Sequence, residues 1–246
     1  MFKGKFILGA GLYLLLVVFI FMFMQALIIL LHEFMHSTVG WLIGAGNSPS
    51  GIVWGNPVTM TGWDEGVDYE RLFVLGKGMT AAITGVSPLV MHALFVGCGL
   101  AFLSGDRLRG HNELYPLLYW FMTAHLMELV AYLYMRPFSG HGDTGLFARG
   151  TGLSHWWLFI VGTALLSWAL WAFYSRILPR MQEIVFPDNR LGQWVLLALT
   201  SFIIFLWGSG IRVMLYVEGP QWLFGLVGIL LMFFTLFRFR PGAGCN

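Results

Sequence analysis

Apolar residues are gathered along this chain in blocks too long for a soluble core. The first covers about Phe6 to Ile43, with a long apolar run from Phe6 to Leu31, and about 18 or more such residues with few charges mark a candidate membrane-spanning helix. Five further blocks follow. They are about Leu72 to Leu103, punctuated by Gly76, Gly78, Gly85 and Pro88; Tyr115 to Met135; His155 to Ile177; Leu191 to Trp207; and Pro220 to Phe237. The last resumes after Glu218-Gly219-Pro220 breaks the apolar stretch Val213 to Val217. The pattern predicts an all-α polytopic membrane protein with about six transmembrane helices. The first block exceeds what a bilayer requires, which predicts a tilted helix or one that ends outside the hydrocarbon. Between the first two blocks, Gly46 to Glu70 is rich in Gly, Ser, Pro and Asn. Weak alternation over Gly51 to Thr61, around Gly55-Asn56-Pro57, predicts a short β-hairpin, with a plain surface loop as the alternative. An edge strand there would suit capture of an extended peptide.

Composition agrees with the pattern. The 246 residues are 58% hydrophobic, 17% aromatic and 11% charged, against about 25% charged in soluble domains. A single membrane domain over 1–246 is expected. The net charge of +2 is spread out, with no basic patch interleaved with aromatics, so nucleic acid is not an expected partner. Cys98 lies in an apolar block and Cys245 is next to last, which predicts neither a disulfide nor a CxxC metal site. Lys3 and Lys5 before an apolar stretch resemble a signal peptide. The stretch is too long and lacks a small-residue cleavage site, so it is read as a retained first span. With both termini cytoplasmic, Lys3, Lys5, Arg107, Arg109, Arg176, Arg180, Arg190, Arg238 and Arg240 fall inside. Arg71, Lys77, Arg136, Arg149 and Arg212 then fall outside, a moderate positive-inside bias.

Chemistry enters at the end of the first block, which reads His32-Glu33-Phe34-Met35-His36. Two imidazoles four residues apart sit one turn apart on one helix face and can grip one metal ion, and the neighbouring glutamate can take a proton from metal-bound water. With 7 His in the chain, chance supplies only about 0.005 such motifs. Ionisable groups in a span cost roughly 2.5–3.5 kcal/mol each on insertion scales, so inert packing is a poor explanation for this cluster.

A catalytic zinc site has three protein ligands and an open position. Under the expected topology, the turn after the third block, Arg136-Pro-Phe-Ser-Gly-His-Gly-Asp143-Thr-Gly145, falls on the same side of the membrane as the histidines. Asp143 is the preferred third ligand and His141 its rival. In the third block, His125 and Glu128 are three apart and face one way. They are candidates for orienting a ligand histidine or pairing with each other, with direct ligation by Glu128 a further possibility. His92, alone in the second block, is read as a hydrogen-bonded packing group. His111 is read as solvated, His155 as interfacial, and Lys77 as a snorkelling helix-end lysine.

These residues resemble the site-2 protease superfamily of intramembrane zinc metalloproteases, in its compact branch without a PDZ domain. The family carries HExxH on its first core helix, a glycine-rich start to its second (here Gly76-Lys77-Gly78), and an aspartate in a Gly- and Pro-rich turn ending its third. The turn here reads His141-Gly-Asp143-Thr-Gly145 where relatives commonly have Asn-Pro-Asp-Gly or Leu-Asp-Gly. The resemblance covers about residues 20 to 150. It implies a metalloprotease core over about 6–150, with additional helices over 151–246. It also implies one Zn²⁺ on His32, His36 and Asp143, Glu33 as catalytic base, and a membrane-protein or peptide substrate. The alternative is a non-proteolytic membrane protein that binds metal or clients: a pseudoprotease, sensor or transporter.

Overall fold

A computed structural model describes residues 2–56, 62–105, 108, 111–211 and 222–242. Helix α1 spans Phe2–Leu42, 41 residues, or roughly 60 Å at 1.5 Å per residue, about twice a hydrocarbon core. Strands β1 (Ile52–Val53) and β2 (Asp64–Glu65) pair antiparallel, with Ile52 opposite Glu65 and Val53 opposite Asp64. Helix α2 is Tyr69–Val74, α3 Gly78–Ser104, α4 Leu114–Leu129 and α5 Gly142–Thr151. Helix α6 is His155–Ala172, α7 Leu178–Val185, α8 Arg190–Phe202 and α9 Trp222–Arg238. Wider π-helical turns extend α4 (Val130–Met135), α6 (Phe173–Ile177) and α8 (Ile203–Ile211).

Among the described residues, four helical stretches are long and apolar enough to cross a membrane: Gly11–Leu42, Gly78–Ser104, His155–Val185 and Arg190–Trp207. The expected third and sixth blocks also form helices, but neither reaches that measure. For α4 the reason is its position. Tyr115, Tyr119, Trp120, Thr123, His125 and Glu128 are all buried, so this helix is clad in protein and tolerates polar groups that a lipid-facing helix would not. Helix α9 is a shorter apolar segment over Leu226–Arg238; the expected start of that block at Pro220, the stretch Val213 to Val217, and Arg107, Arg109, Arg212 and Cys245 lie outside the described residues.

The core forms where α1, α3, α4 and the turns after α8 meet. Its helices are also tied by buried polar pairs, which hydrocarbon cannot solvate and which therefore hold helices together. Tyr119 and Thr200 hydroxyls lie 2.7 Å apart, Tyr174 donates to Ser201 at 3.2 Å, and Trp207 Nε1 donates to Gln25 Oε1 at 3.1 Å. The outer face of α1 presents Leu12, Leu15, Phe19 and Phe23 outward, and α9 presents Phe233, Phe234 and Phe237, as expected of lipid-facing surface.

The structure departs from the sequence reading in three places. The second block divides at Gly76, whose φ of 71° ends α2, whereas Gly85 and Pro88 lie inside an unbroken α3. The expected antiparallel strand pair between the first two blocks forms, but it is wider than Gly51 to Thr61, because the partner of Ile52–Val53 is Asp64–Glu65. The turn after α4 does not stay irregular: from Gly142 it becomes α5, with Asp143 in the first turn.

Helix α5 lies against α3 at backbone distance. A Cβ added at Gly85 would sit 2.8 Å from Leu146 Cβ, and one at Gly78 3.2 Å from the Gly150 carbonyl oxygen. Ala81 and Ala82, both fully buried, complete a small-residue seam. The seam brings the first turn of α5 up to the histidines of α1.

Candidate metal centre

His32 and His36, one turn apart on α1, are 7% and 2% exposed, and Asp143 is 5% exposed. Their chelating atoms converge. Nε2 of His32 lies 3.2 Å from Nε2 of His36 and 3.2 Å from Oδ2 of Asp143, and Nε2 of His36 lies 3.5 Å from Oδ1 of Asp143. A tetrahedral zinc with bonds of 2.0–2.1 Å separates its ligand atoms by roughly 3.3–3.4 Å. The triangle therefore has the size of one face of such a site. Oδ2 of Asp143 is buried and makes no hydrogen bond among the described residues, although an imidazole nitrogen stands beside it. Donor atoms gathered this closely could hold one shared cation.

The surrounding residues dictate which ring nitrogens face inward. Nδ1 of His36 lies 2.9 Å from the Thr84 carbonyl oxygen. A carbonyl only accepts, so Nδ1 carries the proton and the neutral ring leaves its lone pair on Nε2. That carbonyl is available because the residue four positions on is Pro88, which has no N–H to donate in the helix ladder. Ser87 Oγ takes the other lone pair at 2.7 Å. For His32 the outward partner is His92, whose Nε2 lies 3.1 Å from His32 Nδ1. Tyr132, in the π-helical turn after α4, stacks on the His32 ring at 5.5 Å and 22°. The Arg136 guanidinium lies over Tyr132 in turn, 5.1 Å from its centroid. Unusual helical turns of this kind concentrate at functional sites.

Asp143 is held by backbone packing. Thr144 Oγ1 donates to the Arg136 carbonyl at 3.1 Å. At Gly145 an added Cβ would sit 2.7 Å from the carbonyl carbon of Gly140, so only glycine fits where α5 leaves the turn. The first turn of a helix also favours a carboxylate.

Glu33 is 9% exposed, and its Oε2 is buried without a hydrogen bond among the described residues. It forms a second group with His36 and Glu65, whose ligand atoms lie within 4.8 Å of one another. Of the two groups, His32, His36 and Asp143 make the better cation site, because Nδ1 of His36, the atom 3.8 Å from Glu65 Oε1, is committed to Thr84. Glu65 comes from β2. Tyr69, at the start of α2, puts its hydroxyl 3.4 Å from the same His36 nitrogen. Burial first, and the Glu65 carboxylate next, push the Tyr69 phenol above its ordinary range, so it stays a neutral hydroxyl.

Other candidate residues fall elsewhere. His141 caps α5 with an extended backbone (φ −133°) and is exposed; it does not join the donor triangle. Glu128 is buried on α4 but belongs to neither donor group. His125 reaches His92 rather than a candidate ligand, with the two Nδ1 atoms 2.6 Å apart. His155 donates to the Pro137 carbonyl at 2.6 Å, fastening α6 to the turn that precedes α5. Thr84, Tyr132, Glu65 and Tyr69 were not anticipated; His92, expected as a hydrogen-bonded packing group, does make two imidazole contacts, and Pro88 was expected only to punctuate its block. One signal pointed to part of this set: Thr84, Pro88 and His92 are spaced by four and share a face of α3.

Comparison with protein-family models, curated proteins and solved structures finds nothing that matches this chain.

Proposed function

We propose that the protein is an intramembrane zinc metalloendopeptidase that hydrolyses peptide bonds of transmembrane or juxtamembrane substrates. The observation that carries this reading is the buried triangle of His32, His36 and Asp143, with donor atoms 3.2–3.5 Å apart, beside a carboxylate with an unengaged oxygen on Glu33. In this reading His32, His36 and Asp143 hold one Zn²⁺. When bound, zinc supplies Lewis acidity and brings the pKa of a coordinated water to about 7. Glu33 takes the proton from the attacking water and delivers it to the departing amine. Thr84 keeps the His36 tautomer fixed while it does so. Burial of these groups keeps bulk water out and strengthens each charge interaction.

Helices hide their peptide bonds, so a substrate must be held extended. The β1–β2 pair stands next to the triangle through Glu65 and offers strand edges for that purpose. Helix α4 acts as a further, protein-clad span and α9 as a short last one. This gives about six crossings with both termini cytoplasmic and the metal centre toward the outer face.

Glu33→Gln tests the assignment. Reconstituted with a transmembrane peptide substrate, the variant is expected to keep one zinc per chain and lose cleavage. Cleavage at the wild-type rate removes Glu33 as the base. Zinc retained in the wild type with no cleavage of any peptide supports a metal-dependent client-binding role instead.

A further inference from the structure

Helix α3 carries a histidine for which the HExxH chemistry has no use. His92 is fully buried, and both its ring nitrogens are engaged. Its Nε2 lies 3.1 Å from Nδ1 of His32, and its Nδ1 lies 2.6 Å from Nδ1 of His125. Three imidazoles from α1, α3 and α4 thus form a row that begins at the metal centre. A neutral imidazole has one N–H and one lone pair, so each contact needs one donor and one acceptor, and the first link sets the second. If His32 turns the lone pair of Nε2 into the triangle, its proton sits on Nδ1 and is donated to Nε2 of His92. His92 is then protonated on Nδ1 and donates to His125, whose own proton sits on Nε2.

We propose that His92 is a positioning residue: it accepts the Nδ1–H of His32 and, held in the accepting tautomer by His125, fixes the ring of His32 with Nε2 toward a divalent cation. This rests on the metal reading of His32, His36 and Asp143. The two ligand histidines are served differently. His36 faces a backbone carbonyl, which can only accept. His32 faces another imidazole, which accepts in one tautomer only, and this gives His125 its purpose. The row is a support and not a proton conduit. Its far atom, Nε2 of His125, is buried with no hydrogen-bond partner among the described residues. The His125 ring packs against Phe95 and Phe121, with centroids 4.8 and 4.4 Å away. Among the described residues, that nitrogen offers no hydrogen-bonded onward step for a proton.

The test uses the full chain purified in detergent, with Zn²⁺ as the probe. Nitrogen NMR of histidine-labelled, zinc-loaded protein is expected to find His32 and His92 protonated on Nδ1 and His125 on Nε2. His92 protonated on Nε2 overturns the proposal without any variant. Zinc affinity is then measured by chelator competition for wild type, His92→Gln and His92→Leu. The glutamine carbonyl can accept from His32 and leucine cannot. His92→Gln is therefore expected close to wild type, and His92→Leu about 10- to 100-fold weaker. Equal affinity for His92→Leu and wild type overturns the positioning role and leaves the metal reading standing. A wild type that takes up no zinc overturns the metal reading, and the proposal with it. If His92→Leu does not fold, the tautomer assignment decides alone.

Discussion

Pro88 offers a test in which stability and metal affinity move in opposite directions. The Thr84 carbonyl has two lone pairs, and the structure fills both, with Ser87 Oγ at 2.7 Å and His36 Nδ1 at 2.9 Å. Pro88→Ala returns a backbone N–H to position 88, which the α-helical ladder directs at that same carbonyl. Three donors then compete for two lone pairs. His36 is the one not anchored on α3, so it is the donor displaced. Leaving a buried N–H without its acceptor costs about 1–3 kcal/mol, which corresponds to about 5- to 150-fold in metal affinity at 1.36 kcal/mol per tenfold. Replacing a helix-interior proline by alanine gains up to about 3 kcal/mol of helix propensity. The metal-free variant is therefore expected to melt no lower than wild type while binding zinc more weakly. Chelator competition and thermal unfolding of the same preparation measure both quantities. Adding Ser87→Ala frees one lone pair, and the double variant is expected to recover much of the lost affinity. Unchanged affinity in Pro88→Ala refutes the idea that the proline reserves this carbonyl for His36.

Asp143→Asn keeps the shape of the side chain and removes its charge, so metal analysis should find less than one zinc per chain; full occupancy would assign the third ligand elsewhere. Gly145→Ala places a Cβ against the Gly140 backbone and is expected to cost about 1–3 kcal/mol by overpacking, read as a lower melting temperature together with weaker zinc binding. A fall in neither would show that the turn relaxes freely. Glu70 pairs with Arg149 across the surface, with Arg149 also lying over the Phe73 ring at 3.8 Å. The Arg149 guanidinium holds the Glu70 carboxyl below its ordinary value of 4.5. A carboxyl depressed in the folded state contributes stability above its unfolded pKa and loses it as pH falls through the folded one. Wild type should therefore exceed Glu70→Gln slightly at neutral pH, with the gap closing in acid and in high salt because the pair is solvated. A gap that persists in acid contradicts the ion-pair origin.

The sequence made the helical class and the convergence of α1 with the turn after α4 readable for a simple reason. Both follow from local spacing: two histidines one turn apart, and a proline-glycine turn carrying an aspartate. What stayed hidden depends on relations between segments. His92 looks like an isolated polar residue until α3 is laid beside α1, and only then do Thr84, Pro88 and His92 fall on the facing side. The helical start of α5 was hidden because Gly142, Gly145 and Gly150 argue for a loop on propensity. The tertiary seam with Gly78 and Gly85 overrides that propensity, since close backbone approach repays the small side chains. The strand partner Asp64–Glu65 could not be found by alternation, being two residues long and charged. Helix α4 reads as an ordinary span because its block is apolar on average; the burial of its polar residues among neighbouring helices is not legible in that average.

The clasp between Glu70 and Arg149 has a mechanical meaning beyond its small energy. Glu70 belongs to the strap that leans on His36 through Glu65 and Tyr69, and Arg149 to the short helix that presents Asp143. Strap and presenting helix are thereby yoked at the surface, and under the proposed reading a substrate that lifts the one would also pull on the other.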